Sequence, residues 1–118
     1  QVFMNIVLNA IGAMPDGGVL KIAHELGLDM LTIRFQDTGQ GIILEHLPRI
    51  FDPFFTTKKA GQGTGLGLSV CLSIINNLGG KIKAASEGAG KGSTFTVSLP
   101  LHKTKSAGAE ETVLKGIA

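Results

Sequence analysis

Apolar residues recur along this chain with two different periods, and the switches between them mark out its elements. Over residues 1–14, Phe3, Ile6, Val7, Ala10 and Met14 gather on one side at about 100° per residue, which predicts an amphipathic helix. Asn5 and Asn9, four residues apart, fall together on roughly the other side. Pro15-Asp-Gly-Gly18 then stops the helix and turns the chain. Two strand-like runs follow, Val19 to Leu26 and Met30 to Asp37, and Gly27-Leu-Asp between them has a length suited to a hairpin. Asp37-Thr-Gly-Gln-Gly41 breaks the second run, and Leu44 to Ile50 predicts a short helix despite Pro48.

From Phe51 to Gly65 the periodicity disappears and Pro, Thr, Lys and Gly take over. A loop of about 15 residues is unusual in a small domain and suits a lid. Leu66 to Leu78 reads as a helix carrying Leu68, Leu72, Ile75 and Leu78 toward the core, with Gly79-Gly80 as its stop. Lys81 to Ser86 and Ser93 to Leu99 alternate as strands around the glycine-rich turn Glu87 to Gly92. This order predicts an α+β fold: a two-layer sandwich with helices on one face of a mixed, mostly antiparallel sheet.

Composition narrows the function classes. With 118 residues, 43% of them apolar and 17% charged, the chain has the balance of one folded domain with one core. A net charge of +2 spread along the chain, with few aromatics, gives no basic stripe, so nucleic acid and direct membrane contact are not expected. The single Cys71 lies in an apolar helical run and reads as a buried reduced thiol, which suits a reducing cytoplasm. No apolar run approaches the roughly 20 residues of a membrane span. The chain opens at Gln1-Val-Phe in mid-helix, without a cap or an initiator Met, as a segment cut from a longer protein is expected to do.

The densest chemical signal is Gly61-Gln-Gly-Thr-Gly-Leu-Gly-Leu68, alternate glycines running into a helix, an arrangement that gathers backbone N–H groups for phosphate. The dinucleotide fingerprint fails on spacing, because the third glycine counted from Gly63 falls at the fifth place, Gly67, rather than the sixth. A P-loop fails too, since Gly80-Lys81-Ile82 and Gly90-Lys91-Gly92 lack the hydroxyl after Lys. A flexible surface loop stays open as the alternative for the run taken alone.

Four segments stand in order: Asn5-Ile-Val-Leu-Asn9-Ala, Asp37-Thr-Gly-Gln-Gly41, Phe51-Asp-Pro-Phe-Phe-Thr-Thr-Lys58 and Gly63-Thr-Gly-Leu-Gly67. In wording and spacing they resemble the N, G1, F and G2 boxes of bacterial sensor histidine kinases, within the ATPase superfamily shared with gyrase, Hsp90 and MutL. The resemblance spans residues 1 to about 102, leaving 103–118 as a C-terminal tail or linker. Asn-Ala-Ile-Gly-Ala-Met-Pro and Phe-Phe-Thr-Thr-Lys are similar to the branch that includes nitrogen-regulation sensor kinases.

The resemblance implies a Bergerat-type fold with a long ATP lid, binding ATP and Mg²⁺. It makes Asn9 the metal ligand, and a neutral amide oxygen suits a hard cation that keeps waters and phosphate oxygens. Asn5 stands where the gyrase and Hsp90 relatives carry a water-activating glutamate; an amide cannot serve as that base, which favours phosphoryl transfer to a side chain over hydrolysis. Asp37 would accept a hydrogen bond from the adenine 6-amino group, where guanine presents an oxygen, while Gly39 and Gly41 let backbone approach the base. Phe51, Phe54 and Phe55 are either lid aromatics over the nucleotide or anchors of the loop to the core. Lys58 would meet a phosphate. Gly63, Thr64 and Gly65 correspond to the end of the lid, and the Leu66 and Gly67 amides would open the next helix toward phosphates. Thr94 matches a hydroxyl near the adenine.

Gly12 departs from many relatives, which carry Lys, Arg or His three residues after the metal-binding Asn; one phosphate contact is therefore missing. No acceptor histidine is identified: His24-Glu-Leu26 lies in a predicted strand, His46 on a short surface helix and His102 past the last strand. The implied partners are a histidine-containing dimerisation domain of the same protein and the receiver domain of a response regulator. The parent would be a homodimer, cytoplasmic in this part even if membrane-anchored elsewhere. Two other readings stay open: a serine kinase of the anti-sigma-factor type, against which the Phe51-to-Lys58 wording argues, and a nucleotide-sensing scaffold that transfers nothing. Glu110-Glu-Thr-Val-Leu114 also faintly resembles the entry to a receiver domain, though the acidic pair that should follow is absent.

Overall fold

The computed structural model describes residues 1–56, 67–106 and 109–114. Helix α1 (Val2–Gly12) leads into a hairpin of β1 (Leu20–Leu26) and β2 (Met30–Asp37). After a 3₁₀ turn (Leu47–Arg49) come α2 (Gly67–Asn77), β3 (Lys81–Ala85), β4 (Ser93–Ser106) and β5 (Ala109–Leu114). Every strand pair is antiparallel, in the order β1-β2-β4-β3, with β5 on the far reach of β4. The sheet expected as mixed is therefore wholly antiparallel over the described residues.

Register explains the core. Phe35 pairs with Phe95, Ile33 with Val97 and Leu31 with Leu99, so the odd-numbered residues of β2 and β4 share one face. Ile82 of β3 joins it beside Val97. Onto this face α1 turns Val2, Ile6 and Ala10, one turn apart, and α2 turns Cys71 and Ile75. Val97 and Cys71 have no exposed surface at all. Phe3 adds a tilted ring contact to Phe35 at 5.7 Å. Gly79 and Gly80 close α2 by returning their N–H groups to the carbonyls of Asn76 and Ile75.

Ile22 and Leu26 of β1 are the cross-strand partners of Phe35 and Leu31, yet stay exposed, because the helices lie over β2 and β3 rather than over β1. The segment 103–118, expected as a tail or linker, carries ladder structure in its described part: β4 continues to Ser106, and 109–114 fold back on it with Leu101 opposite Leu114. No helix among the described residues is long and apolar enough to cross a membrane.

Candidate functional site

Asp37 is the last residue of β2 and, by strand alternation, points to the core face in line with Phe35. It is only 4% exposed. A carboxylate so buried needs partners, and it has neutral ones: Oδ1 accepts from the Gly39 N–H at 2.9 Å and the Ser93 N–H at 3.3 Å, and Oδ2 accepts from the Ser93 hydroxyl at 2.8 Å. A carboxylate offers about four lone-pair sites. Among the described residues one on Oδ2 is left for a further donor, which is the requirement for holding an amino group.

The loop after Asp37 is fixed from both sides. Gln40 donates its N–H to the Ala13 carbonyl at the end of α1, while Gly90 and Gly92 donate to the carbonyls of Gln40 and Gly39. Gly41 has φ +70, and a Cβ there would strike the Gly88 carbonyl oxygen; Gly92, also at φ +70, approaches the Asp37 carbonyl in the same manner. Both positions exclude any side chain. Thr38 accepts the Val19 N–H at 3.0 Å and so pins the open end of the hairpin beside this loop.

Thr94 is not at this site. Ser93 aligns with Phe95, Val97 and Leu99 on the core face, so Thr94 falls with Thr96 and Ser98 on the other. The hydroxyl that reaches Asp37 belongs to Ser93, one residue earlier, and this alternation was the signal that could have found it.

Asn5 and Asn9 are half-buried on α1. The Cys71 thiol on α2 points to the Val2 carbonyl of α1 at 3.8 Å. Burial pushes that thiol above its ordinary value, with the Asn5 side chain opposing the shift. Asn9 offers one neutral oxygen. Among the described residues no group of three or more His, Cys, Asp or Glu could cage a metal. This donor set fits Mg²⁺ held mainly by phosphates and water rather than by protein.

The three phenylalanines separate. Phe51 packs edge-on to Phe95 at 6.4 Å and joins the rim of the core. Phe55 is held by His46 at 5.2 Å and by the Arg49 guanidinium at 4.8 Å, so His46 is a half-buried ring partner rather than a bland surface residue. Phe54 is 73% exposed with φ +67, a conformation a bulky residue seldom adopts. Gly67 opens α2, and among the described residues nothing lies within 4 Å of a Cβ placed there. Lys58, Gly63, Thr64, Gly65 and Leu66 lie outside the described residues.

Known proteins share the sequence and the fold of this chain. The chain is 48% identical to sporulation kinase C of Bacillus subtilis over 86% of its length and 23% of that protein. It is 46% identical to the sensor histidine kinase ZraS of Escherichia coli over 89% of its length, which is 22% of the relative. It thus spans under a quarter of these curated relatives. The catalytic domain of histidine kinase ThkA superposes with a TM-score of 0.73 at 38% identity, covering 85% of this chain and 65% of that one. The mycobacterial sensor histidine kinase MprB, at 23% identity, shares the fold with a TM-score of 0.75, over 84% of this chain and 69% of that one. Residues 1–103 match the family as a whole, and the chain belongs to the histidine kinase-, DNA gyrase B- and HSP90-like ATPases.

Proposed function

We propose that this chain is the catalytic domain of a sensor histidine kinase: it binds Mg-ATP and delivers the γ-phosphate to a histidine on a separate dimerisation domain. The observation that carries the reading is Asp37, a buried carboxylate with one acceptor position free among the described residues. Adenine presents a 6-amino donor to such a group, whereas guanine presents an oxygen that would repel it. Gly39 and Gly41 let the loop close against Ala13 and the Gly88 carbonyl, and this fixed backbone would lie beside the base.

Asn9 would hold Mg²⁺, which when bound neutralises charge on the phosphates. The residues of this chain then orient the nucleotide. Phosphoryl transfer asks mainly for positioning and charge neutralisation, and neither Asn5 nor Asn9 can abstract a proton from water. This supports transfer to a side chain over hydrolysis. The Gly67 end of α2, with Leu66, would face the phosphates, and Lys58 with Gly63, Thr64 and Gly65 would cover them. The acceptor domain, a response regulator receiver domain and a homodimeric parent with this part in the cytoplasm complete the proposal.

The test is transfer of labelled γ-phosphate to a supplied dimerisation domain. Acid-labile phosphohistidine is expected. Phosphoserine would point instead to a serine kinase, and nucleotide binding with no product to a sensing scaffold.

A further inference from the structure

The turn between β3 and β4 is tied to the loop after β2 by two backbone bonds and, at Ile42, by one side-chain hydroxyl. Ser86 Oγ accepts the Ile42 N–H at 3.0 Å and the Gly88 N–H at 3.2 Å, and donates to the Gly92 carbonyl at 2.7 Å. A serine hydroxyl has one proton and two acceptor lone pairs, so these contacts use its whole capacity. Ile42 directly follows the Asp37-to-Gly41 loop, while Gly88 and Gly92 bracket the facing turn. Gly92 leads straight into Ser93, whose hydroxyl orients Asp37. The backbone bonds from Gly90 to Gln40 and from Gly92 to Gly39 run between the same two segments, but they set no spacing at Ile42.

We infer that Ser86 is a positioning residue for base recognition: its hydroxyl sets the distance between the loop 38–42 and the turn 87–92, and with it the aim of the free Asp37 lone pair. The inference rests on the nucleotide reading above. Without the hydroxyl, the Ile42 and Gly88 N–H groups and the Gly92 carbonyl lose a partner together. Gly41, which lies against the Gly88 carbonyl, then loses its fixed neighbour. Ser86 touches no ligand in this scheme; it acts through Gly92, Ser93 and Ile42.

The experiment measures ADP and IDP affinities by calorimetry on the full chain, well below each protein's melting temperature, for wild type, Ser86→Ala, Ser86→Cys and Ser86→Thr. IDP carries a 6-oxo group where ADP carries the 6-amino. Wild type is expected to prefer ADP. Ser86→Ala and Ser86→Cys should weaken ADP roughly tenfold and IDP by less, narrowing the preference, while Ser86→Thr restores both. The thiol of Cys is a weak donor and acceptor close to serine in size, so this variant keeps the test decisive if the alanine form does not fold. A wild type that binds the two ligands equally overturns the adenine reading of Asp37 itself. A wild-type preference unchanged in the Ala and Cys variants overturns the role of Ser86 alone. Equal loss of ADP and IDP also overturns it, because a loosened fold has no base preference, as does failure of Thr to restore binding.

Discussion

Ser93 donates its hydroxyl proton to Oδ2 of Asp37 across 2.8 Å, and its own backbone N–H reaches Oδ1 of the same carboxylate at 3.3 Å. One residue thus grips both oxygens and fixes the plane of the carboxylate, leaving its remaining lone pair with a defined direction. Asp37→Asn keeps the shape and removes the charge. It should weaken adenine nucleotide binding by one to two orders of magnitude, as expected if a charge-assisted hydrogen bond contributes roughly 1.5–3 kcal/mol. Ser93→Ala should act in the same direction, because the carboxylate loses its orienting donor. Calorimetric affinity unchanged in a folded Asp37→Asn variant would remove Asp37 from the adenine site.

Asn9 would serve the metal alone, which separates its effect from that of Asp37. Asn9→Ala should abolish the gain in affinity that Mg²⁺ gives to a non-hydrolysable ATP analogue, while metal-free ADP binding stays within about twofold. Titrations with and without Mg²⁺ on both proteins read this directly. A metal-dependent gain that persists in the variant would assign the cation to other residues.

Much of this was legible from the chain. The hairpin bounds follow from alternation flanked by glycine, and α1 and α2 from apolar spacing, so the structure moves their ends by only a residue or two. What was missed has physical causes. Beyond Leu101 the chain is mostly polar and small, with no alternation to mark a strand, yet β4 and β5 pair through backbone groups that every residue type carries. Ser93 and Thr94 are both hydroxyl residues, and motif matching alone does not choose between them; the parity of β4 does. The unusual φ of Phe54 has no trace in composition at all. Exposure of β1 depends on where the helices sit, which periodicity within one strand does not encode.

The split among the phenylalanines predicts opposite mutational behaviour within five residues of sequence. Phe51→Ala removes a ring packed against Phe95 and should cost roughly 2–3 kcal/mol of stability. Phe54→Gly removes an exposed ring and the steric cost of a side chain at positive φ together; the relief of about 1 kcal/mol offsets the added freedom of glycine in the unfolded chain, so stability should change little. Urea unfolding of both variants checks the pair. If Phe54→Gly nonetheless weakens nucleotide binding, its ring serves the ligand, because it serves the fold so little.

Cys71 links stability to pH. It is fully buried between α1 and α2, and its pKa is raised above the ordinary value mainly by desolvation. The native state therefore keeps the thiol proton at pH values where the unfolded state has released it. The stabilisation is fully present below the unfolded pKa of about 8.5 and is lost as pH rises from there through the folded value. The chain contains no tyrosine, so no phenol titrates in the same window. Unfolding free energy should be level with respect to this group up to about pH 8 and then decline. In Cys71→Ala the part of the decline due to the thiol disappears, at a cost near 1 kcal/mol at neutral pH for the small cavity left behind. Urea titrations at pH 7 and pH 9.5 on both proteins measure the difference. Equal slopes would show that burial of Cys71 does not govern the alkaline limit. A thiol reagent should agree with the same picture, reacting at the rate of unfolding rather than with the native chain.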